Sequence, residues 1–394
     1  MAKIKVVTTK EFKNEFKKTI ESSNINILLG AGFSKGIVDT LGNIEKFMEA
    51  INQFDKDNKY AVIEAWLFWD FFLRTIYPLC KNIDDIRLLN QIEFIKQWKQ
   101  ILKNRESAVI NKQANVFTTN YDIAIEYSFE TTFTDYNDGF KGRMTPYFST
   151  TNFNRIYFEK ALFSNRSIEV PIFNLLKLHG SVSWKVEEDG NKRIIYNDYK
   201  KNIDYFYCKY TDFFELINKK IFNELKDNFM WIDMDSDLSF KDLDALIPTD
   251  ADTIKQELID FSKKFKENFM IINPTKQKFS DTLLDKNYYE LMRIYCNELE
   301  KNNTVLVTFG FSFDDEHIEE MTKRALGNPS LTIIIFAFCK SDVKKYESKF
   351  NKYENVWIIR NQDPTDENIA VGITEIYLDL QSLNDNLNKL FGEE

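Results

Sequence analysis

Between Thr8 and Glu21 the apolar residues Phe12, Phe16 and Ile20 fall four apart, a spacing that predicts a first helix. The pattern then changes to a short continuous run, Asn26–Ile27–Leu28–Leu29, which ends abruptly at Gly30 and predicts a buried strand. Comparable runs at Ala114–Thr119, Phe173–Leu178, Phe269–Asn273, Thr304–Thr308, Leu331–Phe338 and Val356–Ile359 predict six more. A helical stretch follows at Ile123–Tyr127. Phe47 to about Glu106 reads as mostly helical and rich in Trp and Phe, and Lys200–Asn268 is charged, aromatic and helix-prone. Strands alternating with helical stretches predict an α/β fold, a mainly parallel sheet with helices on both faces. The expectation is a single domain over residues 1–394, with helical insertions at roughly 44–110 and 200–268. In open sheets of this kind, ligands bind at the C-terminal ends of the strands.

Composition narrows the function classes. The 394 residues are 43% hydrophobic, with 35 Phe and 18 Tyr, so much of the packing should be aromatic. A formal net charge of −9 argues against direct nucleic-acid binding by the isolated chain. The four cysteines, Cys80, Cys208, Cys296 and Cys339, form no CxxC pair, so neither a zinc ribbon nor a disulfide framework is expected. No metal is expected at the site. No apolar run reaches the roughly 18 residues of a membrane span, and Met1–Lys18 lacks a signal-peptide core. A cytoplasmic protein without a membrane partner is the resulting expectation.

The candidate chemistry collects at predicted strand ends. Gly30, Gly32, Gly36 and Gly42 are four of only twelve glycines, and they crowd directly behind the first predicted strand. Such a turn can bring backbone N–H groups up to a pyrophosphate, although a purely structural turn explains it equally well. His179 and His317 are the chain's two histidines. His179 follows a predicted strand within Lys177–Leu178–His179–Gly180–Ser181, and imidazole suits proton transfer near neutrality. His317 follows Asp314, Asp315 and Glu316. A metal site is one reading there, and a helix N-terminus whose acids complement the macrodipole is the preferred one. Buried packing is likewise preferred over a partner surface for Trp66–Phe72, and solvated helix faces account for Lys263–Lys266.

Four segments taken in order, Gly30–Ala31–Gly32–Phe33–Ser34, Thr118–Thr119–Asn120–Tyr121–Asp122, Lys177–Leu178–His179–Gly180–Ser181 and Gly310–Phe311–Ser312–Phe313, resemble the sirtuin family. With Asn273–Pro274–Thr275–Lys276 and Asp314–Asp315–Glu316–His317–Ile318, the chain looks more like the bacterial sirtuin-like NAD hydrolases of anti-phage defence than like protein deacetylases. The resemblance covers roughly residues 25–320 and implies a Rossmann-like fold. Two departures stand out. The deacetylase GIPDFR stretch is matched only by Gly36–Ile37–Val38–Asp39–Thr40, which keeps Asp39 alone of its proline, aspartate, phenylalanine and arginine. The four-cysteine zinc module that helps build the acyl-lysine groove is absent.

What the resemblance implies is cleavage of NAD⁺, bound as substrate, at its nicotinamide–ribose bond. Asn120 would position water or a ribose hydroxyl, His179 would act as general base, and Asp122 would bind the carboxamide or support the developing cation. Gly30, Ala31, Gly32, Ser34, Asp39, Thr119, Gly310 and Ser312 would bind the dinucleotide. Short relatives of this kind assemble with a HerA-type hexameric ATPase, so such a partner and a homo-oligomer are expected. Two other classes compete. One is a protein deacylase or ADP-ribosyl transferase, which the missing cysteines disfavour. The other is a non-catalytic nucleotide-sensing or assembly subunit of a DNA-processing complex.

Overall fold

The computed structural model describes residues 1–38, 64–65, 68–84, 86–105, 111–160, 162–163, 167–187, 193–221, 255–271, 282–365, 368–369, 372 and 374–391. They fall into two compact units: one comprises Met1–Lys35, Ile83–His179 and Lys286–Glu394, the other Gly36–Asn82 and Gly180–Asp285.

The first unit is built on parallel strands: β1 (Lys3–Val6), β2 (Asn24–Leu29), β3 (Gln113–Thr118), β4 (Tyr136–Asn137), β5 (Ile172–Lys177), β6 (Thr304–Phe309), β7 (Leu331–Phe336) and β8 (Val356–Arg360). They lie in the order β1-β8-β7-β6-β2-β3-β5-β4, and every pairing is parallel. The central strands are mostly apolar because helices cover both faces. Helices α1 (Lys10–Ser22), α2 (Leu89–Lys103) and α3 (Ala124–Thr131) bury Phe16, Trp98 and Phe129 against alternate strand residues such as Ile27, Val116, Leu175 and Val307. On the opposite face, Phe117 of β3 meets Tyr295 of α4 (Thr282–Leu299), with ring centroids 5.0 Å apart. The Tyr295 hydroxyl lies 2.7 Å from that of Thr322 in α5 (Glu316–Ala325). This is the mainly parallel α/β arrangement that the alternation of strand and helix predicts, and it is Rossmann-like as the sirtuin resemblance implies.

Helix α1 shows the local logic. Thr9 caps it by accepting from Phe12 N at 3.4 Å, and Phe12, Phe16 and Ile20 form its buried stripe.

A row of asparagines crosses the apolar sheet at one level. The register places Asn26, Asn115, Asn174 and Asn137 side by side on β2, β3, β5 and β4. Asn115 Nδ2 donates to Asn26 Oδ1 at 2.9 Å, Asn174 Nδ2 to Asn115 Oδ1 at 2.9 Å, and Asn137 Nδ2 to Asn174 Oδ1 at 3.2 Å. A one-residue slip of any strand would turn its asparagine onto the other face and strand these groups unpaired, so the ladder locks the register.

The second unit is helical and aromatic. Helices Tyr199–Ile221 and Lys255–Asn268 carry Phe206, Phe214, Phe261 and Phe265, which pack with Phe68, Trp69 and Phe72. The preferred reading of Trp66–Phe72 therefore holds for Phe68, Trp69, Phe71 and Phe72, all buried, while Trp66 and Leu67 lie outside the described residues. The run Phe269–Asn273 departs from its expected place in the parallel sheet. Met270–Ile271 pairs antiparallel with Gly180–Ser181 in a two-stranded ribbon. A short apolar run specifies burial without specifying its strand partner. No helix among the described residues is long and apolar enough to cross a membrane.

Candidate active site at the sheet switch point

Phe309, Leu29, Thr118 and Lys177 are register partners at the C-terminal ends of β6, β2, β3 and β5. The segments that leave these strands, headed by Gly310, Gly30, Thr119 and Leu178, therefore emerge along one row, about 14 Å long at the usual strand spacing. Between β2 and β6 the strand order reverses: β3 and β5 follow on one side of β2, β6, β7 and β8 on the other. A crevice at such a reversal is where open α/β sheets bind ligands.

The glycines here are explained first by each other. Gly32 N donates to Gly310 O at 2.9 Å. A Cβ on Gly30 would stand 2.5 Å from Gly310 O, and one on Gly32 2.6 Å from Gly310 Cα. Gly310 itself has φ +64, and its Cβ would meet Phe33 N at 2.6 Å. The two turns press backbone on backbone, and only glycine permits the approach. Beneath them, buried Gln91 donates Nε2 to Phe33 O at 2.7 Å. Ala31 is exposed, Ser34 is buried, and Thr119 donates its backbone N–H to Leu29 O at 3.3 Å. Ser312 is exposed. Asp39 and Asn273–Lys276 lie outside the described residues.

Asn120 joins the second and third strand ends. Its Nδ2 donates to Gly30 O and to Ser34 Oγ, both at 2.9 Å. Because a backbone carbonyl can only accept, the amide orientation is settled, and Oδ1 is left as the acceptor for a water or hydroxyl proton. Asp122 is buried, and its Oδ1 accepts from Ala124 N at 2.8 Å at the start of α3. One oxygen is thus committed to the turn that leads into α3. Behind it, Lys177 donates to the Asp122 carbonyl and sits 2.7 Å from Glu126 Oε1. Burial pushes the Glu126 carboxyl up, against the opposing pull of Lys177.

His179 lies two residues past β5, with Nε2 3.0 Å from Asp315 Oδ2. The other oxygen of Asp315 accepts from His317 N at 3.1 Å and Ile318 N at 3.3 Å, capping α5. The helix N-terminus preferred for the acids near His317 is therefore present, and among the described residues no group of three His, Cys, Asp or Glu side chains could hold a metal. Asp315 is the residue that sequence reasoning missed: reading it as a helix-start acid was correct and concealed its second contact. Tyr288 stands on the same side, its ring 6.4 Å from that of His179. Burial, and secondarily the Asp315 carboxylate, push its hydroxyl well above the ordinary tyrosine range.

The loop that delivers Asp315 is strained. Phe313 has φ +55, a left-handed conformation uncommon for a bulky residue, while its buried ring packs on Phe311 and Phe350. Lys349 Nζ donates to Phe313 O at 2.6 Å and the Tyr346 hydroxyl to Phe311 O at 3.0 Å, which holds the loop in place.

The arrangement brings together an amide acceptor, an imidazole with a carboxylate partner, and two close-packed backbone turns. A search of curated proteins finds no match. Residues 114–229, which include Asn120, Asp122 and His179, match the family model described as a SIR2-like domain, which supports a sirtuin-like family and an NAD-related function.

Proposed function

We propose that the protein is an NAD⁺ glycohydrolase. The observation that carries the reading is the convergence of Asn120 and the His179–Asp315 pair on one row of strand ends, at the reversal of a parallel sheet. Cleavage breaks the bond between ribose C1′ and the nicotinamide nitrogen, and the electron pair leaves with neutral nicotinamide. Positive charge builds on the ribose, a water oxygen bonds to C1′, and the water gives up a proton. Asn120 Oδ1 would hold that water or a ribose hydroxyl as an acceptor, and His179 would take the proton, a contribution of about 10²–10⁴-fold. The second Asp122 oxygen would face the developing cation or the carboxamide. The Gly30–Ser34 and Gly310–Ser312 turns would carry the pyrophosphate, with Ala31, Thr119 and Asp39 completing the dinucleotide site.

An unrestrained NADase would poison its own cell, so its activity requires a gate. The biological setting that fits is anti-phage defence by NAD⁺ depletion, in a homo-oligomer with a HerA-type ATPase as partner. The test is incubation of the purified full chain with NAD⁺, alone and with such an ATPase, with nicotinamide and ADP-ribose followed by chromatography. Stoichiometric release of the two products is expected. Binding of NAD⁺ without nicotinamide release in either mixture would refute the hydrolase and favour a nucleotide-sensing subunit. Light scattering at micromolar concentration checks the oligomer, which a fully active, partner-independent monomer would exclude.

A further inference from the structure

We infer that Asp315 is the positioning residue of His179: its carboxylate holds the imidazole with the proton on Nε2, so that Nδ1 is the nitrogen that accepts a proton during turnover. The inference rests on the hydrolase reading for its catalytic consequence, while the tautomer itself can be measured without any substrate.

Three observations carry it. Asp315 Oδ2 lies 3.0 Å from His179 Nε2, an ion-pair contact in which the oxygen stands off the line of a well-formed N–H hydrogen bond. The carboxylate is not free to turn, because Oδ1 is held by the backbone N–H groups of His317 and Ile318 at the first turn of α5. That helix N-terminus also favours the anionic form of the acid. Finally, the strained Phe313 and its bonds to Lys349 and Tyr346 fix where the loop ends, so the acid arrives at His179 from a rigid mount.

Chemistry then sets the tautomer. A carboxylate oxygen 3.0 Å away repels a nitrogen lone pair and attracts an N–H, so the nearer ring nitrogen carries the hydrogen even though the contact is bent. Neutral imidazole has one N–H, which leaves Nδ1 with the lone pair. When Nδ1 takes a proton, the ring becomes a cation beside a fixed anion, and both groups are largely shielded from water. The logic is that of a carboxylate behind a catalytic histidine in an acyl-transfer triad, here with the two ring nitrogens exchanged in role.

The chain's two histidines make the test direct. Full-length, tag-free protein labelled with ¹⁵N-histidine and carrying His317→Gln leaves His179 as the single imidazole, and long-range ¹H–¹⁵N spectra report its tautomer. The Nε2–H form is expected. In Asp315→Asn the amide oxygen can keep the helix cap while the NH₂ group faces Nε2, so the proton should move to Nδ1. Asn caps as well as Asp, so the melting temperature should hold. In otherwise wild-type protein kcat should fall by about 10²-fold or more with little change in KM, since a mis-set general base loses much of its contribution. Asp315→Ser keeps a cap, lacks the reach to His179, and should give a mixture of tautomers.

An Nδ1–H signal with Asp315 intact, or an unchanged tautomer in Asp315→Asn, would overturn the inference. So would NADase activity indifferent to Asp315→Asn. A chain that cleaves no NAD⁺ yet shows the tautomer flipping in Asp315→Asn would defeat the hydrolase reading alone and leave the positioning contact standing.

Discussion

The two units reach order by different means. In the first, buried polarity is directional: strand ladders, the four-asparagine row, the Asn120 contacts and the Asp315 helix cap each bind a particular atom at a particular angle. In the second, rings fill volume. Trp69 stacks on Phe214 with centroids 4.7 Å apart and on Phe72 at 5.3 Å, and Phe206 touches Phe72, Phe261, Phe265 and Phe269. Ring packing supplies stability but tolerates shifts of angle, whereas hydrogen bonds weaken steeply when misaligned. Every described candidate site residue belongs to the directional unit. Site geometry has to be held to a fraction of an ångström, so chemistry sits where register is locked.

The sharpest way to break this contrast is a substitution that removes chemistry without touching order. His179→Ala should lower kcat for NAD⁺ cleavage by about 10²–10⁴-fold, the share of a general base, with the melting temperature nearly unchanged. Asn120→Ala should match it in activity and also loosen the Gly30 and Ser34 contacts. A loss confined to KM in either variant would make that residue a binding group instead.

Next in size is a deletion from the ring cluster. Phe72 is fully buried and meets Trp69, Tyr77, Phe206 and Phe269. Phe72→Ala should cost about 3–5 kcal/mol in denaturant unfolding. In the folded protein kcat should stay close to wild type, because a ring cluster fixes volume rather than site geometry. An equal fall in kcat would show that aromatic packing also positions the site.

A smaller loss of stability but a clearer loss of activity is expected from the asparagine row. Asn115→Ala leaves Asn26 and Asn174 each short of a bond, at about 1–3 kcal/mol per unsatisfied group. β3 and β5, which carry Asn120 and His179, should then lose precision, and kcat should drop although neither residue was altered. Amide exchange read along β2, β3 and β5 would locate the loosening.

The same contrast explains what was legible in the sequence. The central strands β2, β3, β5, β6, β7 and β8 announce themselves because burial on both faces demands largely apolar runs. The edge strand β1 does not, since Lys3 and Ile4 are exposed and two of its four residues are lysines. β4 has only two residues, too few to show a period. Asn120 and His179 stand out because they follow strands directly. Asp315 and the asparagine row stay hidden because a pairing between distant residues leaves no local pattern. The glycine turns were visible as a cluster, yet their reciprocal packing, Gly32 on Gly310, exists only once β2 and β6 lie side by side.

The smallest expected effect probes a place where the directional unit buries charge. Lys177 and Glu126 form a buried pair beneath Asp122, and burial raises the Glu126 carboxyl above its ordinary value of 4.5 despite the lysine. A carboxyl raised on folding binds its proton more tightly in the native state than in the unfolded chain. Its contribution to stability is therefore fully present below pH 4.5 and declines as pH rises through the folded value. Glu126→Gln keeps the shape and an acceptor for Lys177 but cannot ionise. Melting curves of the two proteins from pH 4 upward should diverge, the wild type losing ground to Glu126→Gln as pH increases. If instead the wild type gains on Glu126→Gln with rising pH, the ionised pair is itself stabilising. The lysine would then outweigh burial, and the directional unit would hold its site by charge as well as by hydrogen bonds.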